Sequence, residues 1–182
     1  MLTFDDIIDS FARVCPKKTV VSDDIRSLSY SNLQYNGSNL ATFFKKYKII
    51  KGDRVALLSF NRIEFAEILY ATSKLGVIIM PINFRLSKEE IASIVKDANP
   101  KFFLYEKAFL KIINYLVKNN FLDKNMTLCI NTKNYFKLLK KTKNTYPLNL
   151  KNSKKNDNWS LMYTSGTTGN PKGVIRNHEG YY

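Results

Sequence analysis

Residues 54–80 read RVALLSFNRIEFAEILYATSKLGVIIM and alternate between two apolar patterns. Residues 54–60 and 77–80 are near-continuous apolar runs, which are typical of strands that are buried on both faces of a sheet. Between these runs, one face of a helix is marked by Phe65, Ile68, Leu69 and Thr72. The stretch therefore predicts a strand, a helix and a second strand, which is the repeating unit of a parallel sheet.

The alternation extends in both directions from this stretch. Upstream, we expect a helix at the start of the chain, a hairpin built from residues 19–21 and 27–30, and a helix that begins at Ser31. Downstream, we expect strands at residues 102–105 and 126–130, each preceded by a helix. Parallel strands need such crossover connections, which are right-handed. The sequence thus predicts an α/β fold with a mostly parallel sheet flanked by helices.

Three of the predicted helices carry a signal for their first residue. Ser31, Asn61 and Ser87 each precede a helical apolar pattern and can accept a hydrogen bond from the free backbone N–H groups of the first turn. Gln34 and Glu90 follow Ser31 and Ser87 after three residues, as a capping box requires, and Glu64 stands at the third helical position after Asn61. We therefore expect the helices to begin at these three positions.

Length and charge bound the class of protein. The chain has 182 residues, 45% hydrophobic residues and a formal net charge of +14, which suit one globular domain with an attraction to anions. The lysines are spread along the chain, and no stripe of alternating arginines and aromatic residues is present. This pattern favours a solvated surface over a basic nucleic-acid-binding domain, which remains an alternative.

The two cysteines, Cys15 and Cys129, are too far apart in sequence for a metal motif and too few for a disulfide framework. The acidic start of the chain is unlike a secretory or transit peptide. The longest apolar stretch, residues 66–82, contains Glu67 and Lys74 and is therefore not expected to be a transmembrane segment. These features predict a reduced, cytoplasmic setting and no metal site.

Residues 132–158 interrupt the alternation. They are rich in lysine and asparagine, and their apolar residues are scattered. We expect a solvated, partly ordered connection within the domain, because the segment shows no amphipathic face that would bind nucleic acid. The pattern resumes at residues 159–163, which read as a strand.

The stretch from Tyr163 to Gly173 has a composition suited to a polyphosphate. It reads YTSGTTGNPKG, and four of the seven glycines of the chain lie between Gly166 and Gly180. Glycines let the backbone approach a ligand closely, and successive N–H groups in such a bend form an anion-binding nest. The hydroxyl groups add donors, and Lys172 adds a positive charge.

The loop is not the common P-loop. That motif ends in Gly-Lys-Ser/Thr and opens a helix, whereas here Pro171 precedes Lys172 and residues 173–177 read as a strand. We therefore expect the loop to join two strands. A glycine-rich turn without a ligand is the alternative reading of the same residues.

The segment from Thr164 to Gly173 resembles the signature of the AMP-forming adenylate ligases, a superfamily of acyl-CoA synthetases, luciferases and peptide-synthetase adenylation domains. Residues 52–61 look like the first core strand of that family. Residues 81–87, PINFRLS, are similar to a segment of its acyl- and aryl-CoA ligases. The resemblance covers residues from about 27 to 182 and implies the N-terminal part of such a ligase.

The resemblance implies a reaction in two steps. A carboxylate, with a fatty acid as the default substrate, attacks the α-phosphorus of ATP to give an acyl-adenylate, and coenzyme A then displaces AMP. By motif match, Thr167 and Lys172 are the catalytic residues. The resemblance assigns the polyphosphate contacts to Thr164, Ser165, Gly166, Thr167, Thr168, Gly169 and Lys172. It also implies Mg²⁺, although no metal ligand can be named in this sequence.

Members of that superfamily are much longer than this chain. The resemblance therefore implies that residues 1–182 form a partial N-terminal AMP-binding domain, without the C-terminal domain and its catalytic lysine. A separately encoded C-terminal part is a candidate partner, and a truncated remnant without activity is an alternative. The single histidine, His178, is read as a residue that opens a helix or borders the nucleotide rather than as a general base.

Overall fold

A computed structural model describes residues 2–140, 151–164 and 171–181. Along the chain the elements are α1 (Phe4–Val14), β1 (Thr19–Ser22), β2 (Ser27–Ser29), α2 (Tyr30–Lys46), β3 (Arg54–Leu58), α3 (Ile63–Leu75), β4 (Ile78–Pro81), α4 (Lys88–Ala98), β5 (Phe102–Glu106), α5 (Leu110–Lys118), β6 (Thr127–Ile130), α6 (Lys133–Lys140), β7 (Asn158–Thr164) and β8 (Lys172–Asn177). Short 3₁₀ turns precede α5 and β6, and a third covers Glu179–Tyr181.

A six-stranded sheet in the order β6-β5-β3-β4-β7-β8 organises the molecule. All neighbouring strands run parallel except β8, which pairs antiparallel with β7. Strands β1 and β2 form a separate antiparallel hairpin, as the sequence predicted. The predicted α/β class with a mostly parallel sheet is confirmed.

Alternate residues of the strands face two separate apolar layers. On one face, Leu57 and Leu104 pack against side chains from α2, α3 and α6, such as Phe44 and Ile68. On the other face, the residues next to them in sequence pack against α4 and α5. Strands covered on both faces must be apolar at every position, which is why β3 to β5 read as continuous apolar runs.

Helix α1 is fixed to α3 by buried carboxylates. The Ser73 hydroxyl donates to Asp5 at 2.6 Å, and the Tyr70 hydroxyl donates to Asp9 at 2.6 Å. Asp9 also accepts a hydrogen bond from Lys74. Burial alone would raise the pKa of Asp9, but these hydrogen bonds outweigh it and lower that pKa. The start of the chain is thus part of the same folded unit as the sheet.

Two of the three predicted helix starts are wrong. Helix α2 begins at Tyr30, and its cap is Ser29, whose hydroxyl accepts from the N–H of Asn32. Helix α3 is preceded by Arg62 rather than Asn61, and Glu64 pairs with Arg26 instead of closing a capping box. At α2 a neighbouring serine takes the capping position, and at α3 the tertiary ion pair with Arg26 holds the Glu64 side chain.

The third predicted start is confirmed. Ser87 and Glu90 form a reciprocal capping box at the start of α4. The Glu90 carboxylate accepts from the Ser87 N–H at 2.8 Å, and the Ser87 hydroxyl accepts from the Glu90 N–H at 3.2 Å. No tertiary contact competes with this exposed pair in the described residues.

The lysine-rich segment is more structured than the sequence indicated. Its first part is α6, in which Tyr135 and Leu139 are buried. The Tyr135 hydroxyl donates to Glu67 of α3 at 2.6 Å. Further along, Ser153 is buried and donates to Asp5. Tyr135, Leu139 and Ser153 are thus buried where a solvated, partly ordered connection was expected, the other described residues of the segment are exposed or half-buried, and residues 141–150 lie outside the described part.

Within the described ranges, no helix combines the length and the apolar composition needed to cross a bilayer.

Candidate functional site

The candidate site lies at the tip of the hairpin formed by β7 and β8. The strands pair from Asn158 with Asn177 up to Thr164 with Lys172, so the last pair of the ladder consists of two of the predicted phosphate-binding residues. The expectation that the loop joins two strands is confirmed. Both Thr164 and Lys172 are exposed and available to a ligand. The remaining predicted loop residues lie outside the described part of the chain: Ser165, Gly166, Thr167, Thr168 and Gly169.

Parallel strands end at a common edge, and this edge holds the tip of the hairpin. Strand β7 runs parallel to β4, and β4 runs parallel to β3. The carboxyl ends of β3, β4, β5 and β7 therefore point the same way. In open α/β sheets this edge is where ligands bind. The fold thus places Thr164 and Lys172 where the architecture favours a ligand.

Gly173 fits the hairpin because its position has no room for a side chain. A Cβ atom there would lie 2.9 Å from Leu161 Cδ1 and 3.2 Å from Tyr163 Cζ. Tyr163 pairs with Gly173 across the strands, and its hydroxyl donates to Asp97 of α4. Burial, together with this contact, raises the pKa of Tyr163. The glycine of the motif therefore has a packing role beneath the loop, in addition to any role at the phosphate.

An ion pair at the same edge was not predicted from the sequence. The Glu106 carboxylate at the end of β5 accepts from the Arg62 guanidinium at 2.6 Å and from the Phe60 N–H at 3.2 Å. This hydrogen bond to Glu106 is the main reason why the pKa of Arg62 is raised. Arg62 lies four residues after β3, and Glu106 is the last residue of β5. A charged residue at or just after the end of an apolar strand was the only feature of the sequence that could have indicated this pair. The pair fixes the turn after β3 relative to β5.

His178 lies at the other end of the hairpin from the loop. It follows the last residue of β8, six residues after Lys172, and at about 3.3 Å per residue this is roughly 20 Å. Its side chain is buried and stacks on Trp159, with ring centroids 4.7 Å apart. Burial lowers its pKa and favours the neutral ring. It precedes a 3₁₀ turn, in agreement with the reading that it opens a helical segment.

The described residues contain no group of three or more histidine, cysteine or carboxylate side chains that could hold a metal ion. Among the described residues, the tip of the hairpin offers the Thr164 hydroxyl and the Lys172 ammonium group, both of which can bind an anion.

Comparison with known proteins identifies relatives for nearly the whole chain. It is 33% identical over 158 residues to the long-chain-fatty-acid–CoA ligase FadD13 of Mycobacterium tuberculosis, a match that covers 87% of this chain and 31% of that protein. It is 24% identical over 185 residues to the 3-oxocholest-4-en-26-oate–CoA ligase of Rhodococcus rhodochrous, covering 98% and 33%. The chain thus spans about a third of the length of these curated relatives.

Solved structures show the same fold. The inhibitor-bound N-terminal domain of FACL13 from Mycobacterium tuberculosis superposes with a TM-score of 0.84 at 27% identity, covering 98% of this chain and 45% of that domain. The anthranilate CoA ligase AuaEII in complex with anthranoyl-AMP gives a TM-score of 0.88 at 23% identity and supports the fold alone. The sequence profile of the AMP-binding enzymes matches residues 8–182, and the chain belongs to this family.

Proposed function

We propose that the chain is the polyphosphate-binding part of an ATP-dependent ligase that converts a carboxylic acid to an acyl-adenylate and then to its coenzyme A thioester. The observation that carries the proposal is the hairpin tip, where Thr164 and Lys172 form the last cross-strand pair on either side of the glycine- and hydroxyl-rich loop. Membership of the AMP-binding family supports the nucleotide as the ligand.

The chemistry explains why such a loop is needed. A carboxylate is a poor acylating agent because oxide is a poor leaving group. Adenylation turns the acid into a mixed anhydride whose leaving group, AMP, is a good one. During adenylation, negative charge develops on the departing pyrophosphate, and preorganised donors and cations lower the barrier by stabilising that charge. In this proposal, Lys172 neutralises the pyrophosphate, and the hydroxyl and N–H groups of Thr164, Ser165, Thr167 and Thr168 donate to its oxygens.

The two glycines of the loop have a different role in the proposal. Gly166 and Gly169 let the backbone close over the phosphates without steric conflict. ATP reaches such sites as a magnesium complex, but the described residues contain no carboxylate cluster that fits the ion. We therefore assign no magnesium ligand to this chain, and none of the residue roles depends on one.

A long-chain fatty acid is the proposed substrate class. The support is the FadD13 match, whose name specifies a long-chain fatty acid, at 33% identity. Coenzyme A as the acceptor has the same support. We propose a cytoplasmic setting, which agrees with the free thiols of Cys15 and Cys129.

A chain without ATP-dependent activity, the remnant considered above, is the second candidate. The net charge of +14 is the one feature that favours nucleic-acid binding. Titration calorimetry with ATP and Mg²⁺ separates the candidates. We expect binding that Lys172→Ala weakens roughly 10- to 150-fold, since a charge-assisted hydrogen bond contributes about 1.5–3 kcal/mol.

Lys118→Ala is the matched control, because Lys118 is exposed on α5, far along the sheet from β8, and the variant loses the same charge. Equal ATP affinity of the two variants would contradict the site. Absence of ATP binding would favour the remnant, and a strongly salt-dependent affinity for DNA would favour the basic domain.

The catalytic role needs an intact ligase that carries this loop. There, Thr167→Ala or Lys172→Ala should slow ATP–pyrophosphate exchange roughly 150-fold, since the loss of one preorganised donor costs about 3 kcal/mol of barrier. The KM for the acid should change much less than kcat. An unchanged exchange rate would refute the assigned roles.

A further inference from the structure

The β7–β8 hairpin extends beyond its neighbour β4. In the described residues, β7 is aligned with β4 at a single pair, Ile79 and Ser160. Ile78 and Ile82 donate their N–H groups towards β3, at 2.8 and 2.9 Å. Because alternate residues of a parallel strand bond to opposite neighbours, the positions that face β7 are Ile79 and Pro81. Proline has no N–H group, so β4 offers β7 no further donor and the ladder ends at Ser160.

The tip of the hairpin, residues 162–164 and 172–174, therefore needs another attachment. Every residue of the tip except Tyr163 is exposed. In the part of the chain that the structure describes, one side-chain hydrogen bond joins the tip to another element: the Tyr163 hydroxyl donates to the Asp97 carboxylate of α4. The position of the tip relative to the helices thus depends on this contact.

Both partners of the hydrogen bond are placed for it. The ring of Tyr163 is half-buried and packs against the apolar layer formed with α4 and α5, so it has little freedom to turn away. Asp97 lies in the last turn of α4. A negative charge is unfavourable there, because the free carbonyl groups at the end of a helix carry partial negative charge. The stability of the helix alone therefore disfavours an acid at this position, and the Tyr163 hydroxyl compensates by donating to it.

A tip that is already fixed can bind an anion more tightly than a flexible one. A ligand that has to order its binding residues loses part of its binding free energy to that ordering. Thr164 and Lys172 form the last cross-strand pair, and Tyr163 pairs with Gly173 directly below them. Fixing Tyr163 at α4 therefore fixes both candidate phosphate-binding residues before a ligand arrives.

We propose that Tyr163 and Asp97 are positioning residues for polyphosphate binding. Their hydrogen bond, called the tip tether below, holds the Thr164–Lys172 pair in place relative to α4, and neither side chain contacts the ligand. The tether adds a requirement that lies outside the loop motif, because Asp97 is 66 residues away from Tyr163 in sequence. This role rests on the proposed function, in which the tip binds the polyphosphate of ATP.

Two measurements on the whole chain test the tip tether. The mobility of the tip without ligand is measured by ¹⁵N relaxation at the amides of Thr164 and Lys172. The affinity for ATP with Mg²⁺ is measured by titration calorimetry, with inorganic tripolyphosphate as a second probe. Tyr163→Phe removes the hydroxyl and keeps the ring, and Asp97→Ala removes the acceptor.

We expect each of these two variants to lower the order parameters of both amides from about 0.85 towards about 0.6. Each should also weaken binding of ATP and of tripolyphosphate roughly two- to tenfold, which corresponds to the loss of one ordinary hydrogen bond. The double variant Tyr163→Phe/Asp97→Ala should be no weaker than either single variant, because the two side chains act through one contact.

Two further variants separate positioning from a general loss of structure. Asp97→Asn keeps an oxygen that can accept from Tyr163, so it should retain most of the order and the affinity. Tyr181→Phe is the matched control. The Tyr181 hydroxyl is bonded to the Ser160 hydroxyl at 2.6 Å, at the other end of the hairpin, so its loss should leave both the tip and the ATP affinity unchanged. Urea unfolding of every variant measures the effect on stability.

Several results would overturn the positioning role. They are unchanged order parameters in Tyr163→Phe, a mobile tip with unchanged affinity, an equal loss of affinity in Tyr181→Phe, and an effect confined to the free energy of unfolding. If the unmodified chain and Tyr163→Phe bind ATP equally, the tether alone fails. If the unmodified chain binds neither ATP nor tripolyphosphate, the proposed function fails and the positioning role fails with it.

Discussion

Gly173→Ala tests whether packing near the tip of the β7–β8 hairpin requires a glycine at this position. The added Cβ would lie 2.9 Å from Leu161 Cδ1 and 3.2 Å from Tyr163 Cζ. Ordinary contacts of this kind are about 3.5–4.0 Å. Neither neighbour can retreat freely, since Leu161 is 7% exposed within the apolar layer and the Tyr163 hydroxyl is bound to Asp97.

The expected magnitude follows from two opposing terms. Overpacking by one methyl group costs about 1–3 kcal/mol. The loss of backbone freedom in the unfolded chain returns about 0.5–1 kcal/mol on Gly→Ala substitution. The variant should therefore lose about 1–2 kcal/mol of unfolding free energy. For a domain of this size that lowers Tm by about 5 °C.

Urea unfolding followed by the fluorescence of Trp159 is a suitable assay, because this residue lies in β7, the strand that pairs with Gly173. Leu161→Val removes the crowding methyl group and should rescue Gly173→Ala, with a coupling of about 1 kcal/mol in a double-mutant cycle. Gly52→Ala is the control. It has a φ of +83° and no atom within 4 Å of the added Cβ, so its cost is backbone strain and should not couple to Leu161→Val.

The reasoning would be refuted if Gly173→Ala were as stable as the unmodified chain, or if its loss were the same with and without Leu161→Val. Either result would mean that the hairpin accommodates a side chain, and that the glycine serves only the ligand.

Further substitutions test the network around α1 and α3 and the start of α4. Asp9→Asn removes the nearer of the two carboxylates that pair with Lys74, the other being Asp5 at 3.9 Å, and should cost about 1.5–3 kcal/mol at pH 7. Because the pKa of Asp9 is lowered on folding, this difference should persist above about pH 3.8 and shrink as the pH falls through the folded value. Burial raises the pKa of Glu67 despite its hydrogen bonds, so the stability of the unmodified chain relative to Glu67→Gln should fall as the pH rises above 4.5. Ser87→Ala removes the cap of α4 and should cost about 1 kcal/mol.

Urea titrations at a series of pH values measure all of these effects. Ser31→Ala is the comparison for the cap: Ser31 does not cap α2, and its hydroxyl is bonded only to that of the capping Ser29 at 3.1 Å among the described residues, so its cost should be smaller than that of Ser87→Ala. A pH-independent difference for Asp9→Asn would show that the carboxylate is not charged and paired in the folded chain. A pH-independent difference for Glu67→Gln would contradict the raised pKa.

The layers of the fold could be predicted because burial on both faces of a sheet requires runs of consecutive apolar residues in the strands. Strands β3 and β5 are covered by helices on each side, so each reads as an unbroken apolar run. Helix α6 has a weaker apolar pattern, because its two buried residues, Tyr135 and Leu139, lie among lysines. A helix of eight residues needs few apolar positions, and the lysine-rich composition of the segment therefore did not indicate a helix.

Interactions between distant residues could not be predicted in the same way. Glu64 had the correct spacing for a capping box, yet its carboxylate accepts from Arg26, 38 residues away in sequence. A partly buried charge pair is stronger than an exposed cap, so the tertiary contact decides the position of the side chain. The Arg62–Glu106 pair was missed for the same reason, because its members belong to different strand ends.

The loop between Thr164 and Lys172 and an apolar cavity of about 510 Å³ beside the hairpin differ in how their residues are distributed along the sequence. A phosphate-binding loop takes its donors from consecutive residues, since the nest is made by the backbone itself, so the prediction of such a loop rests on this short stretch alone. The cavity is lined by residues as far apart as Phe4 and Tyr181. These residues meet only after the sheet and α1 have packed together, so no local sequence pattern predicts the cavity.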